Sequence, residues 1–253
     1  MTETLVAVHD DAGVRTLTLD SPANRNALSA RLLDQLAAAL RDTTTDDDVR
    51  VVVLTGSGSV FCSGADLSER GSAAPNRMPE ILTGLMESPV PVIARVNGHT
   101  RAGGLGLIAA ADLAVAPAAA TFAFTEVRVG VAPAMILVPA LRVVEARFLA
   151  WAVLTGEPFG AAEAAAAGLL SAVVEDEHAL DAWVAAQAAA LRKGAPGAVR
   201  ATKELVRSLP AQSWADGLAA AAARSADLFG GPEAAEGMAA FLEKRRPSWD
   251  TAP

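Results

Sequence analysis

Two glycine-containing segments of the sequence could stabilise a developing negative charge. Phe61–Leu67 reads FCSGADL, and its glycine lets the backbone turn tightly and expose the N–H of Ala65. Asn97–Gly106 reads NGHTRAGGLG, and its glycine pair opens a predicted helix at Gly103. The first N–H groups of a helix have no intrahelical partner and lie at the positive end of its dipole. Two such N–H groups, from separate turns, would form an oxyanion site.

A third segment supplies a carboxylate that could move a proton. Phe122–Pro133 reads FAFTEVRVGVAP and places Glu126 in an apolar stretch. Burial there would raise the pKa of this carboxyl towards values useful for general acid–base catalysis. Together the three segments suit chemistry through an enolate, with no metal or redox cofactor. From the residues alone two structural interpretations stay open: Glu126 forms an ion pair with Arg128 or another base, and the glycine segments are ordinary tight turns.

Composition narrows the class of protein that contains these segments. The 253 residues are 52% hydrophobic, which is enough for a substantial core. Lys and Arg number 21 against 29 Asp and Glu, so the net charge is −8. An acidic balance argues against broad nucleic-acid binding, although a local basic patch for a small anion is compatible with it.

Cysteine and histidine usage argues against disulfide and metal chemistry. The single cysteine, Cys62, excludes an intramolecular disulfide framework, and the three histidines lie far apart in the sequence. No metal site is therefore expected. The N-terminus lacks the apolar core of a signal peptide, and no stretch has the roughly 18 apolar residues of a membrane span. We expect a cytoplasmic protein that does not bind membranes.

Strand and helix patterns alternate along the chain and predict an α/β fold. Leu5–His9 and Val14–Leu19 predict a hairpin, and Ser29 caps a predicted helix. The continuous apolar runs at Val51–Leu54 and Val90–Val96 predict strands buried on both faces. Residues about 69–79 predict a mobile loop, and the chain from about Pro139 onward is predicted mainly helical. Further short strands are predicted at Val60–Phe61, Leu113–Ala116, Thr121–Phe124 and Ala172–Val174.

Over essentially its whole length, the chain resembles the enoyl-CoA hydratase/isomerase (crotonase) family. The resemblance rests on SPANRNAL, FCSGADL, RVNGHTRAGGLGL, FTEVRVGVAP, LTGEPFGAAEAAAAGLL and FLEKRRPSW in this order and spacing. It implies a crotonase (ClpP-like) spiral of ββα units over residues 1–193 and a C-terminal helical trimerisation region over residues 194–253. It also implies a homotrimer or hexamer and an acyl-CoA thioester substrate, with no cofactor apart from that coenzyme A.

The resemblance also implies a role for individual residues. The oxyanion hole for the thioester carbonyl maps onto the N–H groups of Ala65 and Gly103, and the acid–base carboxylate maps onto Glu126. The acyl pocket maps onto Gly106, Met135 and Ile136. The residues implied to bind coenzyme A, the last two of them from a neighbouring C-terminal segment, are Arg25, Ala27, Ser63, Asp66, Leu67, Gly104, Phe241 and Lys244.

Gly106 departs from the family pattern, which leads us to expect a first glutamate there. The pair of carboxylates that would hold water is therefore incomplete. The first expectation is a hydratase that works with Glu126 alone, as in methylglutaconyl-CoA hydratase-like members, where Gly106 would leave room for a branched substrate. The second is a Δ3-Δ2-enoyl-CoA isomerase in which Glu126 shuttles a proton between C2 and C4. The third is a degenerate acyl-CoA-binding protein.

A nucleotide-dependent dehydrogenase is the alternative from another class. Gly104–Ala109 fits G-x-G-x-x-A after a predicted strand, and Glu126 follows roughly 20 residues later. This alternative leaves FCSGADL unexplained. It also leaves four residues between Gly98 and Gly103, where a tight strand-to-helix turn is expected.

Overall fold

The computed structural model describes residues 3–69 and 76–250, which fold into strands, α-helices and short 3-10 helices. The strands are β1 (Val6–Asp11), β2 (Val14–Leu19), β3 (Val51–Gly56), β4 (Val60–Cys62), β5 (Val92–Arg95), β6 (His99–Arg101), β7 (Leu113–Pro117), β8 (Thr121–Ala123), β9 (Phe159–Gly160) and β10 (Ala172–Val174). The helices are α1 (Ala30–Thr44), α2 (Met78–Met86), α3 (Gly103–Ala110), α4 (Ala134–Val143), α5 (Ala146–Thr155), α6 (Ala161–Ala166), α7 (Glu177–Arg192), α8 (Pro196–Ser208), α9 (Trp214–Phe229) and α10 (Pro232–Leu242). The 3-10 helices are Pro22–Asn24, Leu67–Glu69, Glu126–Val129 and Leu209–Ala211.

The strands form two sheets, and from β3 to β8 the chain alternates between them. The larger sheet has the order β1-β2-β3-β5-β7-β10 and the smaller has the order β4-β6-β8-β9. Apart from the antiparallel pairs β1–β2 and β8–β9, all neighbouring strands are parallel. Each of β3, β5 and β7 is followed by one strand of the smaller sheet. The α/β arrangement predicted from the sequence is therefore confirmed.

The larger sheet is covered on both faces, as the continuous apolar run of its central strand β3 requires. All six residues of β3 are buried. Val52 and Leu54 pack into the main core with α1, α2 and α3, whereas Val51 and Val53 pack with Leu180 of α7. Successive side chains of a strand point to opposite faces, so a continuous apolar run needs a helix layer on each face.

The first hairpin and the first helix form at the positions that the sequence predicted, and local features explain why. The β1–β2 turn consists of Ala12 and Gly13, both with positive φ (48° and 78°), as expected of a two-residue hairpin turn. The Ser29 side chain accepts a hydrogen bond from the N–H of Leu32 at 3.2 Å and so caps α1.

Three expectations about the elements were wrong in part. Strands β6 and β9 were not predicted, and β9 lies in the region expected to be mainly helical. Both are too short to show a period of alternation. Helix α4 begins at Ala134 and contains Pro139 rather than starting there. Helix α2 begins at Met78, within the loop expected at about 69–79, and residues 70–75 of that loop lie outside the described ranges.

The last three helices are tied to the end of α7. The Glu233 carboxylate accepts hydrogen bonds from the N–H groups of Gly197 (2.8 Å) and Ala198 (3.1 Å), which joins α10 to the start of α8. Trp249 Nε1 donates to the carbonyl of Lys193 at 3.2 Å. The domain boundary expected between residues 193 and 194 stays a prediction. In the described ranges, no helix combines the length and hydropathy needed to cross a membrane.

Candidate active site

The three parallel strands of the smaller sheet end side by side. Cys62 of β4 pairs with Thr100 of β6, and Arg101 of β6 pairs with Ala123 of β8. Each strand is followed within three residues by one of the three groups expected to do chemistry, namely Ala65, Gly103 and Glu126. Because the carboxyl ends of parallel strands share one edge of a sheet, the fold brings all three groups to that edge.

The N–H of Ala65 is free to bind a ligand. Leu28 pairs with the turn on the other side, since its N–H donates to Gly64 (2.8 Å) and its carbonyl accepts from Asp66 (3.4 Å). In such a bridge the middle residue points its own N–H away from the partner strand. Ala65 is exposed, and in residues 3–69 and 76–250 its N–H has no hydrogen-bond acceptor.

The N–H of Gly103 is the second free donor. Gly103 is the first residue of α3, and the carbonyl of Ala102 accepts a hydrogen bond from Leu105 at 2.9 Å. In a trans peptide the N–H points opposite to the carbonyl, so the N–H of Gly103 points away from the helix. Within the described part of the chain this N–H has no acceptor.

Ala102, the residue before Gly103, has a backbone conformation that glycine favours. Its φ of 48° and ψ of −123° lie outside the regions that residues with a side chain readily adopt. Such a conformation costs about 1–3 kcal/mol in a non-glycine residue and is kept where surrounding contacts enforce it. Its N–H donates to the carbonyl of Ala123 on β8 at 3.0 Å, which ties the turn to the strand that precedes Glu126.

Among the described residues, the half-buried carboxylate of Glu126 has no cationic partner. Its Oε2 is buried and makes no hydrogen bond within the described part of the chain. Burial raises the pKa of this carboxyl above its usual range, and its own backbone N–H offsets part of the effect. Arg128 instead pairs with Glu157, with Nη2 at 2.5 Å from Oε1. The structural interpretation of Glu126 as the ion-pair partner of Arg128 is therefore wrong.

The space beside Gly106 is filled by Ile136 of α4. A Cβ added to Gly106 would lie 2.8 Å from the Cβ of Ile136, closer than real Cβ atoms approach. Ile136 is only 4% exposed, so its side chain is part of the core. The expectation that Gly106 leaves room for a branched substrate is wrong. Met135 is more accessible, and its sulfur lies 3.5 Å from Nδ2 of Asn76.

Most of the residues expected to bind coenzyme A cluster beside Ala65. The N–H of Ser63 donates to the carbonyl of Arg25 at 3.1 Å, which joins the loop after β2 to the turn after β4. Arg25 and Leu67 are exposed, whereas Ala27 is buried beneath them. The Asp66 carboxylate accepts bonds from the N–H and hydroxyl of Ser68, so it holds its own turn.

Gly104 is a packing residue rather than an accessible one. It is buried in α3, and a Cβ there would meet Thr100 Cγ2 at 2.7 Å and Cys62 Cβ at 2.8 Å. This location does not support the expected contact with coenzyme A. It also removes the basis for the dehydrogenase alternative, because Gly104–Ala109 lies inside a buried helix rather than in a phosphate-facing turn.

The structure does not bring Phe241 and Lys244 to this site within one chain. Arg50, directly before β3, donates to the carbonyl of Gly194 at 2.7 Å, next to the residues that anchor α10. Helix α10 is therefore held near the start of β3, whereas Arg25 follows the end of the parallel strand β2. Phe241 is 83% exposed. A second copy of the chain would have to supply both side chains.

Asn26 is a site-shaping residue that sequence reasoning missed. It is fully buried, and its Nδ2 donates to the carbonyls of Ser57 (3.0 Å) and Val60 (2.8 Å). Its Oδ1 accepts from the N–H of Ser21 at 2.9 Å, and its φ is 55°. Asparagine tolerates this conformation better than most residues. The two asparagines of the SPANRNAL turn were the available signal.

Other reactive side chains near the strand ends have structural roles. Cys62 is buried, and desolvation raises the pKa of its thiol to about 12, so the thiolate is not accessible at neutral pH. The ring nitrogen Nδ1 of His99 lies 2.9 Å from the hydroxyl of Thr121. Among the described residues, no group of three or more His, Cys, Asp or Glu is arranged to hold a metal ion.

A cavity of about 980 Å³ lies away from these groups, between the end of α3 and α8. None of the predicted site residues lines it. Lys203 at its wall donates to Asp112 Oδ2 at 2.6 Å and to the carbonyls of Leu85 and Val90, and so holds α8 against the core.

Comparison with known proteins gives matches that extend over almost the whole chain. The profile of the family described as "Enoyl-CoA hydratase/isomerase" matches residues 9–252. A zebrafish (Danio rerio) protein named "Enoyl-CoA hydratase domain-containing protein 3, mitochondrial" is 33% identical over 253 residues, which cover 97% of this chain and 87% of that protein.

Solved structures agree with the sequence comparison. An enoyl-CoA hydratase from Mycobacterium smegmatis superimposes with a TM-score of 0.92 at 36% identity, covering 98% of this chain and all of that one. AtuE from Pseudomonas aeruginosa superimposes with a TM-score of 0.93 at 31% identity, with the same coverage. The crotonase-type spiral with a C-terminal helical region, expected from the sequence, is thereby confirmed.

Proposed function

Because the chain belongs to the enoyl-CoA hydratase/isomerase family, we propose that it hydrates the carbon–carbon double bond of an enoyl-CoA thioester. One observation carries the proposal. Two free N–H donors, of Ala65 and Gly103, follow neighbouring strands, and the unpaired carboxylate of Glu126 follows the next one. The M. smegmatis structure is named as a hydratase, which favours this reaction as the first candidate.

In the proposed hydration, the thioester oxygen accepts hydrogen bonds from Ala65 and Gly103. Glu126 removes a proton from water as the water oxygen bonds to C3, and the π electrons of the double bond move into an enolate. The two donors hold the negative charge on the thioester oxygen. Glu126 then delivers the same proton to C2, so one carboxylate closes the cycle. The reaction needs no cofactor besides the coenzyme A that the substrate carries.

Isomerisation of a 3-enoyl-CoA is the second candidate, and one observation favours it. Ile136 fills the space beside Gly106, so no second carboxylate is supplied at that position, and the Asp66 carboxylate after β4 is bound to Ser68. In an isomerase Glu126 removes a proton from C2, the electron pair passes through the enolate, and the proton returns at C4. This route needs no water and no second acid.

Assembly into a homotrimer or hexamer completes the proposal. Phe241 and Lys244 would reach the coenzyme A of a neighbouring subunit, since their own chain holds them away from Arg25. A basic side chain near the phosphates of coenzyme A is favourable in a chain with a net charge of −8. The exposed apolar side chains of α9 and α10 are consistent with contacts between subunits.

The test is turnover of a 2-enoyl-CoA, a 3-enoyl-CoA and 3-methylglutaconyl-CoA by the purified protein, followed by absorbance and product mass. A mass gain of one water on a conjugated substrate supports hydration. Conversion of the 3-enoyl substrate at constant mass supports isomerisation. Glu126→Gln is the control and should lose about 10²–10⁴-fold in kcat. Binding of all three without turnover would contradict both candidates and favour a degenerate binding protein.

A further inference from the structure

The two turns that carry the oxyanion donors touch each other through one methyl group. Gly64, directly before Ala65, has a φ of 91°, and a Cβ added to it would lie 2.7 Å from the Cβ of Ala102. Ala102 directly precedes Gly103. The methyl group of Ala102 therefore occupies the space that a side chain at position 64 would need. The two turns that carry the donors therefore pack against each other at this contact.

Glycine would suit the backbone of residue 102 better than alanine does. The φ of 48° is open to glycine without steric cost, and both hydrogen bonds of this residue are made by its backbone. These are the N–H bond to Ala123 and the carbonyl bond from Leu105. A glycine would keep both bonds, so the methyl group is all that the alanine adds, and it lies against Gly64.

On the premise of the proposed function, we infer that Ala102 is a positioning residue whose methyl group fixes the spacing of the Ala65 and Gly103 N–H donors. Hydrogen bonds weaken steeply with misalignment, and donors to an oxyanion act mainly in the transition state. Without the methyl group the two turns can approach or slide. The loss then falls on kcat rather than on KM.

The chain offers a matched control for this test. Ala12 has the same φ of 48° and lies in the exposed β1–β2 turn, outside the site. Both substitutions place glycine at a positive φ, so both are expected to keep or raise Tm. Ala12→Gly is expected to leave kcat and KM unchanged. Ala102→Gly is expected to lower kcat by about tenfold while KM changes less than about twofold. Ala102→Ser keeps the Cβ and is expected to retain most of kcat.

A second readout is independent of turnover. In the Glu126→Gln background, a bound dienoyl-CoA should absorb at longer wavelength because the two donors polarise its carbonyl. We expect a smaller shift when Ala102→Gly is added, and no change when Ala12→Gly is added.

Two outcomes would count against the inference, and they are distinguishable. An Ala102→Gly variant with the parent's kcat and the parent's spectral shift would overturn the inference alone. A parent protein that neither turns over an enoyl-CoA nor shifts the spectrum of the bound dienoyl-CoA would overturn the proposed function, and the inference with it.

Discussion

Glu126 shows how one carboxylate can be prepared for proton transfer by its surroundings alone. Its Oε2 is buried without a partner, and the one nearby cation in its own 3-10 helix, Arg128, is occupied by Glu157. Burial therefore acts on the pKa without a compensating charge. The residue type and apolar setting were visible in the sequence, whereas the loss of the Arg128 partner depends on a residue 29 positions away.

The raised pKa of Glu126 predicts the acidic limb of the pH profile. In the proposed reaction the ionised carboxylate is the base, so kcat/KM should fall as the pH drops through its folded-state pKa. That midpoint should lie above the ordinary value for glutamate, about 4.3. A midpoint at or below that value would contradict the role of burial.

The same shift has a consequence for stability that does not depend on activity. A carboxyl whose pKa is raised on folding stabilises the folded state as the pH falls towards its protonated form, and destabilises it above the folded-state pKa. Glu126→Gln should therefore raise Tm at pH 7, with the gain shrinking towards pH 4. Thermal unfolding followed by circular dichroism at both pH values measures this. An equal change in Tm at both would exclude ionisation as the cause.

Gly106 and Ile136 form a coupled pair. Gly106→Glu alone should destabilise the chain, by about 1–3 kcal/mol, because its Cβ would overlap Ile136. The double variant Gly106→Glu, Ile136→Ala removes Cγ2 of Ile136, the atom that would lie closest to the added Cβ at 2.4 Å, and should recover part of the loss. Urea unfolding of both single variants and the double variant gives the coupling energy. Additive effects would show that the two positions do not compete for space.

Among the elements, the loop between β2 and α1 depends on a single side chain. Asn26 makes three hydrogen bonds while fully buried, and the carbonyl of its neighbour Arg25 accepts from Ser63. Asn26→Ala leaves buried backbone groups unpaired and should cost about 3 kcal/mol in the free energy of unfolding. It should also raise KM for the CoA substrate.

The control for this loop is Asn24→Ala, whose side chain makes one weaker bond, to the N–H of Ala27 at 3.2 Å. It should cost much less. An unfolding free energy for Asn26→Ala equal to that of Asn24→Ala would refute the structural role of Asn26.

Elements that depend on local sequence signals could be predicted, whereas those that depend on contacts between distant residues could not. The capping residue of α1 lies directly before that helix, and the apolar run of β3 and the glycine pair at the start of α3 lie within the elements they define. Strand β9 has two residues and exists only because β8 offers it an edge. The approach of Ile136 to Gly106 likewise joins residues 30 positions apart, so no local pattern could reveal it.

At the scale of the whole molecule, the exposed apolar side chains of the C-terminal helices predict association. No residue of α9 is buried, and Trp214 is 87% exposed. Clusters of this kind on a folded chain mark interaction surfaces. We expect a trimer or hexamer in sedimentation experiments, and dissociation by Leu218→Glu together with Phe229→Glu. Val8→Glu, at an exposed apolar position on β1, is the control. A monomeric parent protein would refute the assembly and the role given to Phe241 and Lys244.

The succession of β4, β6 and β8 also governs the order of events during synthesis and refolding. The two donors and the carboxylate are separated by tens of residues in sequence and meet only when three strands from successive units pair. A nascent chain that ends before β8 has both donors but no base. Recovery of turnover during refolding should therefore lag behind recovery of helical signal, which makes the activity a reporter of the pairing of β8 with β6.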